Sequence, residues 1–116
     1  FQYHLYAQML ASAQVASLGA AAAESGHGPG LYLDLPLGVN GAGYDVWRHR
    51  DLFPERASAG APPDAFFTRG QDWGFPPLRP EASRESGHAY VVQYLRRHLR
   101  HAGMLRIDHV MGLHRL

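Results

Sequence analysis

Met104-Leu105-Arg106-Ile107-Asp108-His109-Val110 is the stretch on which the reading of the fold turns. It is short and mostly apolar, and Gly103 stands before it as a helix stop. A run of this kind suits a strand buried on both faces, as in a parallel sheet. One other run has the same character, Leu31-Tyr32-Leu33-Asp34-Leu35-Pro36-Leu37, set between Gly30 and Gly38. Ahead of it, residues 1–24 carry Tyr6, Met9, Leu10, Ala13 and Leu18 at helical spacing among many alanines, which favour helix intrinsically. Ser25-Gly26-His27-Gly28-Pro29-Gly30 then ends that helix. A second helix is predicted from Ala82 to His101, with Val91, Leu95, His98, Leu99 and Ala102 on one side and Arg96, Arg97 and Arg100 mostly elsewhere.

The order is helix, strand, long loop, helix, strand, an α/β pattern that predicts parallel strands joined by a right-handed crossover. Asp34 and Asp108 both fall late in their strands. In a (β/α)8 barrel that edge carries the site, because the βα loops are built there. A complete barrel needs about 250 residues. The expectation is therefore a partial (β/α)8 TIM barrel of about two strands, their helices and a long substrate-binding loop. Phe1-Gln2-Tyr3-His4 has neither an initiating Met nor a signal-peptide layout, which adds to the expectation of a piece of a longer protein.

Composition narrows the function classes. A hydrophobic fraction of 46% is ordinary for a globular chain. The net charge of +1 and the dispersal of Arg48, Arg69, Arg84 and Arg100 give no electrostatic case for nucleic acid or an anionic membrane. Cysteine is absent, which excludes disulfides, thiol catalysis and cysteine-ligated zinc. No apolar run approaches the roughly 20 residues of a membrane span. His98 and His101 have a spacing some metal sites use, but no carboxylate shares their face, so packed or surface histidines are expected and no metal site.

The segment from Gly38 to Gly74 reads as mostly irregular, with a helical turn or two near Asp45–Phe53. It is rich in Gly and Pro, yet it holds Trp47, Phe53, Phe66, Phe67 and Trp73. Long loops that carry their own aromatics are usually binding loops or lids. For Trp47, anchoring its loop and contacting a ligand are equally open.

Asp108 lies among Leu105, Ile107 and Val110, where a carboxylate is costly unless paired. Arg106, two residues away and so on the same face of a strand, is the natural partner. On spacing alone, a structural ion pair and an oriented nucleophile are both open readings, because R-x-D is short and common.

Three motifs carry a resemblance. Leu105 to Leu113 resembles the nucleophile strand of the 4-alpha-glucanotransferases, the amylomaltase or disproportionating-enzyme family of the alpha-amylase clan. Gly60-Ala61-Pro62-Pro63-Asp64-Ala65-Phe66-Phe67 with Gly70-Gln71-Asp72-Trp73-Gly74-Phe75-Pro76-Pro77 resembles that family's glucan-binding loop. Leu33 to Val39, with Asp45-Val46-Trp47, is similar to its preceding barrel strand and following loop. The motifs stand in the family's order and span nearly the whole chain.

The resemblance implies Asp108 as the nucleophile, Arg106 as the residue that orients it, and His109 and Asp34 as sugar contacts. Gln71 and Trp73 are implied along the acceptor side, and Asp64 and Phe66 as further substrate-binding positions of the loop. Ala65 departs from the family, some of whose members carry an aromatic there. Residues 1–116 would belong to one catalytic barrel domain, with 38–80 its glucan-binding loop.

The implied activity is retaining transfer of alpha-1,4-glucan segments to an acceptor glucan or glucose, in the cytoplasm, with maltooligosaccharide substrates and no cofactor. A hydrolase of the same clan and a non-catalytic glucan-binding module are the alternatives. Glu24, Glu55, Glu81 and Glu85 match none of the family's acid/base positions, so the 116 residues alone are expected to be inactive.

Overall fold

A computed structural model describes residues 1–113. The elements run α1 (Gln2–Glu24), β1 (Tyr32–Asp34), α2 (Tyr44–Arg48), β2 (Gly60–Ala61), β3 (Gln71–Asp72), α3 (Pro80–Glu85), α4 (Ala89–Leu99) and β4 (Met104–Arg106), then a 3-10 turn at Val110–Leu113. The fold is α/β. The chain divides into two compact units, one formed by Phe1–Leu35 with Val92–Ile107, the other by Pro36–Val91 with residues 108–113.

In the first unit β1 and β4 pair in parallel, Tyr32 with Met104, Leu33 with Leu105 and Asp34 with Arg106. The parallel pairing agrees with the sequence reading, but the strands are shorter than 31–37 and 104–110. After Asp34 the Leu35 N–H still reaches the Arg106 carbonyl at 2.9 Å, and the pairing stops before Pro36. Nor are the strands buried on both faces. Leu33 and Leu105 are half-buried on one side, while Tyr32, Asp34, Met104 and Arg106 are exposed on the other. A two-stranded sheet has no second layer among the described residues to cover that side.

Helix α1 matches the predicted span, but its large apolar residues do not make the packed face. Tyr6, Met9 and Leu18 are well exposed, whereas Val15, Gly19 and Ala22 are half-buried. Apolar residues surround this helix, so no stripe dominates, and the smallest side chains permit the closest approach. Gly103 owes its identity to a similar approach. The helix before it already stops at Leu99, and a Cβ on Gly103 would fall 1.3 Å from the Pro29 carbonyl oxygen.

The single helix predicted over 82–101 is broken. Pro80 starts α3 at its first turn, where its missing N–H costs nothing. Gly87 and His88 then adopt left-handed φ values of 61° and 58°. The buried Ser83 holds that break: its carbonyl accepts the His88 N–H at 2.7 Å, and its hydroxyl meets His88 Nδ1 at 2.9 Å. In α4, Val91, Tyr94, Leu95 and His98 form the half-buried stripe, and Leu99 lies outside it. His98 Nδ1 is 2.8 Å from the Tyr94 carbonyl oxygen.

The second unit has its own core of Leu52, Phe53, Ala59 and Tyr90. The Tyr90 ring meets Phe53 edge-on at 5.5 Å and His49 at 5.1 Å, and its hydroxyl donates to Asp45 at 3.1 Å. Tyr90→Phe keeps those rings in place. It should lower stability by about 0.5–1.5 kcal/mol, read as a shift in the urea midpoint; a midpoint at or above wild type would remove the Asp45 bond from the account. The segment expected to be mostly irregular has its helical turn near Asp45 in α2, and it also contains the unforeseen antiparallel pair β2–β3, with Gly60 opposite Asp72 and Ala61 opposite Gln71. Gly60 permits that pair, since a Cβ there would lie 2.0 Å from the Gln71 carbonyl oxygen.

Candidate active-site residues

In the first unit, Asp34 and Arg106 are the last residues of β1 and β4 and stand opposite each other in register. Arg106 Nη1 is 3.1 Å from Asp34 Oδ2, and both side chains are roughly half exposed. The sequence reading had Arg106 partnering Asp108 along one strand. Parallel pairing brings Arg106 to a second carboxylate, Asp34, across two strands, and strand alternation ends at Arg106. Asp108 lies beyond it, in the turn that leads to the 3-10 segment.

In the second unit that turn is built around Asp108 and His109. The His109 N–H donates to Asp108 Oδ1 at 2.9 Å, and His109 Nδ1 lies 3.5 Å from the same oxygen. Asp108 is therefore not sequestered among aliphatics, since half of its side chain is exposed. His109 has φ 47°, an uncommon conformation for a residue with a Cβ, and its carbonyl accepts the Gly112 N–H at 2.8 Å. The edge of the His109 ring meets Trp73, with centroids 5.2 Å apart and planes at 73°.

Trp73 also stacks on Phe75 at 6.0 Å, and its Nε1 donates to Gln71 Oε1 at 3.3 Å. The structure thus brings Gln71, Trp73 and His109 together beside Asp108. Asp64 serves the loop itself: its Oδ1 accepts the N–H groups of Phe66 and Phe67 at 2.8 and 2.6 Å. That carboxylate turn leaves Phe66 91% exposed at the tip. Trp47 is 61% exposed, with its ring tilted against Tyr44 at 5.7 Å, so within its unit it does not anchor the loop.

A sequence profile of the 4-alpha-glucanotransferase family matches residues 1–116. The chain belongs to that family. It is similar to a 4-alpha-glucanotransferase of Mycobacterium tuberculosis, 40% identical over 114 residues, 98% of this chain and 16% of that protein. A 4-alpha-glucanotransferase of Haemophilus influenzae is 38% identical over 115 residues, 99% of this chain and again 16% of the relative. Among solved structures, the amylomaltase from Corynebacterium glutamicum superposes with a TM-score of 0.89 at 37% identity, over 97% of this chain and 16% of that one. This 4-alpha-glucanotransferase-family chain thus spans about a sixth of the length of these relatives.

One constellation of this family member escaped the sequence reading. The Ser58 hydroxyl donates to Asp72 Oδ1, and the Gly74 N–H donates to both Asp72 Oδ1 at 2.9 Å and Ser58 Oγ at 3.0 Å. The D-x-G spacing of Asp72 and Gly74 signals a carboxylate turn in sequence. Ser58, fourteen residues earlier, carries no such signal.

The Ser58 hydroxyl, and after it the Gly74 N–H, hold the Asp72 carboxyl below its ordinary value. Because the folded chain binds this proton less readily than the unfolded one, the clasp contributes stability above the ordinary carboxylate value of about 3.9. That contribution is lost as pH falls through the lower folded value. A carbon-13 titration should place the Asp72 midpoint below that of a free aspartate; one at or above it would contradict the clasp.

Among the described residues no three His, Asp or Glu side chains gather as a metal site, and no helix is long and apolar enough to cross a membrane.

Proposed function

We propose that the longer protein is a cytoplasmic (β/α)8-barrel 4-alpha-glucanotransferase that acts on alpha-1,4-glucans such as maltooligosaccharides. Residues 1–116 form part of its single catalytic domain, with 38–80 as the glucan-binding loop. The observation that carries this reading is the contact of Trp73 with His109, the residue bonded to Asp108, in a chain that matches the family from end to end. The parallel β1–β4 pair, ending on Asp34 and Arg106, is consistent with two barrel strands whose C-terminal edge bears the site.

Asp108 attacks the anomeric carbon of the donor and forms a glucosyl ester as the reducing-side glucan leaves. The 4-hydroxyl of a second glucan then displaces the carboxylate, and two inversions give net retention. Arg106, tied to Asp34, keeps positive charge close along the chain to the nucleophile. His109 and Asp34 bond sugar hydroxyls. Trp73 and Phe66 offer flat apolar faces to the C–H faces of glucose rings, and Gln71 presents its amide N–H groups to hydroxyls. Asp64 contributes by holding Phe66 outward. No cofactor enters this chemistry.

Retaining chemistry needs a second carboxyl about 5–5.5 Å from the first. Glu24 ends α1, Glu55 lies in a turn before β2, and Glu81 and Glu85 lie in α3, none at a strand end, so the acid/base is assigned to the longer protein, and residues 1–116 alone should not turn over. Incubation of the full-length enzyme with maltotriose tests the reading. Glucose with longer glucans is the expected product set; reducing ends that rise with each cleavage would make it a hydrolase.

A further inference from the structure

Trp73 is held by backbone on both sides. Its N–H donates to the carbonyl of the buried Ala59 at 2.9 Å, and the Ala59 N–H donates to the Phe75 carbonyl at 2.8 Å. The Ser58–Asp72–Gly74 clasp closes around the same residue, joining the position before Trp73 to the position after it through one serine from the segment that leads into β2. Gly74 has φ 73°, so the chain reverses there, and the clasp bonds both partners of that reversal. The backbone on either side of Trp73 is thus fixed by groups that touch neither ring, while Phe75 and Gln71 contact the indole that faces His109.

We propose that Ser58 and Asp72 are positioning residues that hold Trp73 against His109 and so set the partition between glucan transfer and hydrolysis. The inference rests on the function proposed above. In the second half-reaction the bond from the anomeric carbon to Asp108 breaks, and a new bond forms to an acceptor 4-hydroxyl oxygen or to water. In either case the hydroxyl proton passes to a carboxylate base of the longer protein. An indole fixed beside His109 supplies an apolar wall that seats the acceptor ring and excludes water. A loosened indole favours water, since misplacement costs the oriented acceptor more than it costs a small, abundant nucleophile.

The test uses the full-length enzyme with maltotriose, following glucose, longer glucans and reducing ends together. Ser58→Ala and Asp72→Ala should lower the transfer-to-hydrolysis ratio by about five- to tenfold, the scale of a lost hydrogen bond that orients a wall. The acceptor KM should rise, while donor cleavage falls no more than about threefold. Ser58→Thr keeps the hydroxyl and Asp72→Asn keeps the accepting oxygen, so both should restore most of the ratio, which a merely structural role would not require. A wild-type ratio in Ser58→Ala would overturn the inference, as would equal losses of transfer and cleavage in both alanine variants. Asp108→Asn separates the two readings: if it is inactive while Ser58→Ala keeps the wild-type ratio, only the positioning role fails.

Discussion

Asp108→Asn in the full-length enzyme is expected to lower glucan transfer by at least about 10⁴-fold, because loss of a covalent nucleophile removes the intermediate itself. The amide matches the carboxylate in shape and its oxygen can still accept the His109 N–H, so the turn at 108–109 should survive. What it lacks is a negative oxygen able to form the glucosyl ester. The loss should therefore appear in kcat for maltotriose and in burst formation of the intermediate, with thermal unfolding unchanged. Near-wild-type transfer from this variant would overturn the assignment of Asp108, and with it the proposed mechanism.

Arg106→Met should reduce kcat/KM by about 10²–10³-fold, the range seen when one preorganised charged donor is removed from an active site. Its effect on stability should be small. The Arg106–Asp34 pair is half exposed on both sides, and pairs in such settings contribute about 0–1 kcal/mol. Met keeps the apolar stem and removes only the guanidinium. Arg106→Lys should recover little, since an ammonium is a point charge without the planar fork that holds Asp34 from a fixed direction. Parallel measurement of kcat/KM and of the unfolding midpoint checks both halves. A large stability loss with proportionate activity loss would make the pair a structural tie.

Position late in two apolar strands singled out the two aspartates, and the alternation of side chains along a strand singled out Arg106. Alternation did not reveal that Arg106 bonds Asp34, because it is local, while that bond spans 72 residues. The loop aromatics were legible as a group, since a solvated linker has no use for Trp73 or Phe53. Their division of labour was not. Phe53 packs in a core against Tyr90, Phe66 stands at an exposed tip, and Trp73 meets a histidine 36 positions later.

The sequence by itself determined that this chain is α/β, that strands near Leu33 and Leu105 run parallel, and which loop and strand motifs it shares with 4-alpha-glucanotransferases. These follow from short-range periodicity, breakers and motif order, which each residue's near neighbours encode. Only the tertiary structure decided that Arg106 grips Asp34, that the predicted second helix breaks at Gly87–His88, and that Ser58 closes a clasp around Trp73. Each depends on groups distant in sequence being brought within a few ångströms. Hydrogen bonds and ion pairs of that kind are satisfied by whichever partner the chain path delivers.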